Sequence, residues 1–292
     1  MTRLTSASVS PLADDFLWQH TIGLLLDALE VQELLRQIYQ WSPAPELDVL
    51  YQQTQWAGIS HLSPCLVRVR SGDDPVLLQF LANVDKPWGY LWVCEGSWSQ
   101  LVAHVRWLTS FRPPLGDEMY LRISDPAVAH ALFAEVHCPG ADLFGPCREI
   151  IVAPPVPGDW NRYRRSGTMV TPRYDNPYVA SDAQWLALRE VAFSKSIAAL
   201  YQHMQRFFPE YRADLTPDQR RQHVRALAQQ AIDKGFSAER EIWLYANIFG
   251  FMGDSVLDQH PDIRSLLEDS RLTPFDRVNR AATLAAERSG SS

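Results

Sequence analysis

The stretch YLRISDP, residues 120–126, reads as a strand that stops at an aspartate, where many enzymes hold a catalytic carboxylate. Pro126 gives Asp125 a second reading. Proline lacks an amide donor, and its preset φ suits the first position of a helix. Asp125 is then an N-cap that accepts from the amide of Ala127 or Val128 as the chain turns from strand to helix. The carboxylate pairs Asp14/Asp15 and Asp73/Asp74 also sit at helix entries or turns, where acidic groups satisfy free N–H donors and favour the helix dipole. His137 beside Cys138, with Cys147 further on, is the nearest approach to a metal cluster. A closed zinc site needs about four ligands, and a fourth has no evident source, so no metal is expected. There is no G-x-S-x-G elbow, H-E-x-x-H, P-loop or G-x-G-x-x-G after a strand. The expectation is no catalytic residue, no cofactor and no enzyme.

The elements that must position these residues are legible from periodicity. TIGLLLDAL reads as a buried strand and EVQELLRQIYQ as a helix with Leu34, Leu35 and Ile38 on one face, although periodicity also permits one long helix. PCLVRVR is a strand closed by Ser71, Gly72 and Asp73, and PVLLQFLAN a short helix. WGYLWVCE is a strand, and the helix after it lines up Trp98, Leu101, Val105 and Leu108. MYLRIS, DPAVAHALFAEV and CREIIVA add strand, helix and strand. The fold class expected is an α/β N-terminal lobe of about five strands with intervening helices, over 12–152, then an all-helical C-terminal lobe over 183–287.

Between them, residues 153–182 are rich in proline, lack a sustained period and read as a connection. In the helical lobe Phe193, Ile197, Leu200, Met204 and Phe207 form one stripe, with Asp182 as the expected cap. Thr216 and Ser237 are the expected caps of the next two helices.

Composition narrows the function classes. The chain has 292 residues, 46% of them hydrophobic and 21% charged, enough apolar material for real cores. A formal charge of -7 argues against a nucleic-acid partner, since phosphate binding calls for a broad basic surface; the basic run NRYRRS at 161–166 is short. The four cysteines show no C-x-x-C spacing. No apolar leader opens the chain, and IGLLLDAL and IWLYANIFGFM fall short of the ~20 residues that span a bilayer. A cytoplasmic protein with no membrane partner is expected.

Taken in order, IGLLLDAL, SPCLVRV, YLRISDPAVAHALF, LFGPCREIIV, HMQRFFPEY and DKGFSAEREIWLYANIFGFMGDSV resemble the type VI secretion effector-chaperone family, the Tec/Tap-like adaptors long catalogued as a domain of unknown function. Asp27, Ser63 with Pro64, Asp125 with Pro126, and Gly145 with Pro146 fall on that family's motif positions. Cys65 stands where the family has tryptophan, and LRISDP lacks the aromatics of its strand-to-helix junction. The resemblance implies a cytoplasmic adaptor that binds one cognate toxic effector, keeps it soluble and helps load it onto the VgrG or PAAR spike. Interfaces of that kind gather aromatics and arginines, so Trp160, Tyr163, Arg164, Arg165, Tyr174 and Tyr178 are the candidate partner-binding residues. The alternative is a small-molecule hydrolase or transferase, which would need convergent polar groups in a pocket near Asp27 and Asp125.

Overall fold

The computed structural model describes residues 15–137, 139–154 and 159–290 and divides the chain into two units, Met1–Val191 and Ala192–Ser292. The first unit contains β1 (Thr21–Leu26), α1 (Leu34–Trp41), β2 (Leu47–Val49), β3 (Cys65–Val69), α2 (Pro75–Leu81), β4 (Gly89–Cys94), α3 (Trp98–Trp107), β5 (Ser110–Arg112), β6 (Met119–Tyr120), α4 (Pro126–Phe133), α5 (Ala141–Phe144), β7 (Cys147–Val152), β8 (Asn161–Arg164) and β9 (Tyr178–Val179). A long helix, α6 (Asp182–Phe207), runs across the boundary. Then follow α7 (Pro217–Asp233), α8 (Glu239–Met252), α9 (Val256–Gln259), α10 (Pro261–Glu268) and α11 (Pro274–Ser289).

Six strands form one sheet in the order β2-β3-β1-β4-β7-β8, antiparallel throughout. Four of its strands, β1, β3, β4 and β7, are buried on both faces, which explains their nearly continuous apolar runs. Successive side chains alternate between faces: Leu24, Leu26, Leu91, Val93 and Ile151 meet α1 and α2, whereas Leu25, Tyr90, Trp92, Ile150 and Val152 meet α3, α4 and α5. Gly89 opens β4 at φ 149°, and a Cβ there would lie 1.8 Å from the Leu25 carbonyl oxygen, so only glycine lets β4 lie beside β1. A β-bulge between Val93 and Cys94 shifts the β4–β7 register and sets Cys94 opposite Cys147.

Two sequence expectations change. MYLRIS is not one strand: Met119 and Tyr120 pair with β5 in a second sheet of order β6-β5-β9. After Tyr120 the chain turns, with the Ile123 amide donating to the Leu121 carbonyl at 2.8 Å. Leu121 and Ile123 still enter the core while Arg122 faces away from it, so the strand-like alternation is met by a turn. The stretch 153–182 also supplies β8, which extends the main sheet, and β9, which runs parallel to β5.

The second unit is helical among its described residues. Its core joins Leu200 and Met204 of α6, Leu227 and Ala231 of α7, Tyr245 and Phe249 of α8, and Val278 and Ala285 of α11. Thr216 caps α7 as expected, accepting from the Gln219 amide at 3.3 Å. Two other caps differ. Ser181, not Asp182, opens α6 by exchanging bonds with Gln184, and at α8 the Glu241 carboxylate accepts from the amides of Ser237 and Ala238, both at 3.1 Å. In each case the longer side chain reaches back to the helix start.

Candidate functional site

Asp27 follows β1 and is buried. Its carboxylate accepts from Arg122 Nε at 2.8 Å, Ser124 Oγ at 2.9 Å and the Leu29 amide at 2.8 Å. Arg122 also donates to Glu30 at 2.8 Å. Burial opposes the charge on Arg122, but the Asp27 and Glu30 carboxylates outweigh it and hold the guanidinium above its ordinary pKa. Ser63 accepts from the Tyr51 amide at 2.9 Å and donates to the Pro64 carbonyl at 3.0 Å. Asp125 caps α4 by accepting from the Ala127 amide at 3.0 Å, with Pro126 at the first helical position.

Gly145 holds φ 53°, and a Cβ there would come within 2.5 Å of the His104 ring. His104 is buried beside Trp92, with Nε2 against the Leu143 carbonyl at 2.9 Å; burial lowers its pKa to about 4. These positions build the sheet's end and its turn into α4. Their carboxylates are already engaged.

The six candidate partner residues divide. Trp160 packs on Phe80, at 6.2 Å between ring centroids, on the α1/α2 side of the sheet. Tyr163, on the other face, is hydrogen-bonded to His130. Arg165 has only 7% of its side chain exposed; it donates to the Cys147 carbonyl at 2.8 Å and to Glu95 at 2.6 Å. Tyr178 is buried and donates to Gln184 at 2.7 Å. Arg164 contacts the buried Glu149 at 3.1 Å with 69% of its side chain exposed, and Tyr174 is also exposed.

Residues 169–176 lie along α3. Arg165 donates to the Gly167 carbonyl, Tyr174 packs on Trp107 at 5.6 Å, and the Trp107 indole donates to the Asn176 carbonyl at 2.6 Å. Between this segment and α3 is a cleft of about 140 Å³, lined by Gln100, Ala103, Pro146, Met169, Thr171 and Tyr174. Met169, Val170 and Tyr174 of this segment, and Val179 of β9 just after it, are exposed apolar or aromatic residues. Sequence reasoning named Tyr174 and missed the other three; apolar residues in a proline-rich, aperiodic stretch were the available signal.

Cys138, half of the His–Cys pair, and Asp14 lie outside the described residues. Asp74 caps α2, accepting from the Val76 amide at 2.9 Å, and Asp73 is bonded to Ser71. Among the described residues, no helix is long and apolar enough to cross a membrane.

Residues 24–139 match the family described as Domain of unknown function (DUF4123). The matched span holds Asp27, Ser63 and Asp125 and ends before β7 and the segment along α3. The chain is also 26% identical over 279 residues to "Accessory protein VasW" of Vibrio cholerae serotype O1 (strain ATCC 39315 / El Tor Inaba N16961), covering 94% of this chain and 90% of that relative. Both matches agree with the resemblance carried by the ordered motifs. No solved structure matches the chain.

Proposed function

We propose that this chain is a cytoplasmic type VI secretion accessory protein, a non-enzymatic chaperone that binds one toxic effector, keeps it soluble and helps load it onto the VgrG or PAAR spike. The observation that carries this reading is the similarity to an accessory protein along 94% of the chain, which reaches beyond the DUF4123 span into the helical unit. The aspartates that an enzyme would use are occupied as a cap and as the acceptor of an internal network. An adaptor instead needs exposed apolar and aromatic groups with an arginine at the rim, and Met169, Val170, Tyr174, Val179 and Arg164 supply these. The effector is expected to meet the cleft along α3 and bury ~1,600 Å² or more in total.

Coexpression with the toxin encoded beside this gene tests the reading. The toxin alone should be scarce or aggregated, and with this chain it should purify as a soluble complex. Equal retention of a toxin from another locus, or solubility of the cognate toxin without this chain, would count against it.

A further inference from the structure

Two buried thiols remain outside this account. Cys94 ends β4 and Cys147 begins β7, and the bulge places them directly opposite each other on antiparallel strands. Directly opposed residues in such a pair have Cα atoms ~4.5–5.5 Å apart, inside the ~4.4–6.8 Å that a disulfide spans. Both thiols are free.

Their surroundings are unequal. The Gly96 amide donates to Cys94 Sγ at 3.3 Å, and the Cys147 thiol and the Arg165 guanidinium lie close enough to favour its charged form. These hold the Cys94 thiol below its ordinary pKa against the opposing effect of burial. Cys147 is pushed up by burial and by the neighbouring sulfur. Cys94 is thus the more acidic of the two sulfurs. Cys65 contrasts with both: burial alone pushes it up to about 12.

Both sulfurs are covered; Cys94 Sγ lies 3.5 Å from the Pro146 carbonyl oxygen, and Pro146 lines the 140 Å³ cleft beside α3. Tyr174, on the same cleft, lies near enough to feel the charge of either sulfur.

We infer that Cys94 and Cys147 are a redox-active dithiol that a small hydroperoxide closes to a disulfide. The Cys94 thiolate attacks one peroxide oxygen and the O–O bond breaks. The other oxygen leaves as an alcohol, or as water from hydrogen peroxide, with the proton Cys94 gave up. Cys94 is then a sulfenic acid. The Cys147 sulfur attacks it, the S–O bond breaks, and the hydroxyl leaves as water with the Cys147 proton. Two electrons pass from the two thiols to the peroxide, and the new S–S bond ties β4 to β7.

The full chain treated with hydrogen peroxide, alkylated and mapped by mass spectrometry without reduction tests this. A linked Cys94–Cys147 peptide lighter by two hydrogens, and lost on adding dithiothreitol, is the expected main product. Cys147→Ser should trap a dimedone adduct on Cys94, and Cys94→Ser should leave Cys147 unlabelled. Full alkylation of both thiols after peroxide, linkage of either to Cys65 or Cys138, or a dimedone adduct on Cys147 in Cys94→Ser would overturn the inference. The wild-type map decides the matter even if a serine variant does not fold.

Discussion

Asp27, Ser63, Asp125 and Gly145 lie in the interior or at tight turns, their polar groups bonded within the chain and their backbone shapes demanded by close neighbours. Arg164, Met169, Tyr174 and Val179 stand at the surface a short way along the same unit. The first group carries the family resemblance and the second does not. A motif of this kind specifies architecture, and what distinguishes one partner from another is expected on the surface that the architecture holds out.

Asp27→Ala should have the largest effect on that contrast. It leaves Arg122 half-buried with a bonding partner gone and Ser124 and the Leu29 amide without theirs, and removing one partner of a buried pair costs about 3–5 kcal/mol. Denaturant unfolding measures it. A melt unchanged from wild type would deny Asp27 its structural role.

Acid should act next, through His104. Its pKa in the folded chain is about 4, against ~6.5 unfolded. The unfolded chain takes the proton first, so stability falls as pH drops from about 6.5 to 4 and this contribution levels off below; the share is about 3 kcal/mol. His104→Gln should flatten that part of the pH–stability curve relative to wild type, and equal slopes would remove His104 as the cause. Smaller again is Asp125→Ala, which loses one cap bond and should cost about 1 kcal/mol while leaving partner binding intact.

Much of the frame was legible before the structure. β1, β3, β4 and β7 are buried on both faces, so their apolar runs are long enough to read. Asp125 with Pro126 announced a cap because its chemistry is local. Elements whose reason for existing is distant were hidden: β2 is three residues, and β8, read as the basic run NRYR, is a strand because Arg162 and Arg164 meet Glu149 across β7. MYLRIS misled because a turn can send Leu121 and Ile123 inward as a strand would. Among the candidate site residues, Tyr178 and Arg165 had the right chemistry for a partner, but they anchor the segment, a fact visible only once Gln184 and the Cys147 carbonyl are in place. Tyr174 was named by type, whereas Met169 and Val179 are exposed only because tethers to α3 and β5 hold the segment where it lies.

The central claim is that the motif builds and the segment along α3 binds, and one copurification experiment addresses both halves. The Arg164→Ala/Tyr174→Ala double variant and the Asp125→Ala variant would each be coexpressed with the neighbouring toxin, and the melt of each variant alone recorded. Arg162 still meets Glu149 when Arg164 is lost, so the double variant should stay folded at a cost on the order of 1 kcal/mol yet retain little toxin. Asp125→Ala should melt lower and retain the toxin in full. A double variant that holds the toxin as wild type does, beside a folded Asp125→Ala chain that has lost it, would contradict the account.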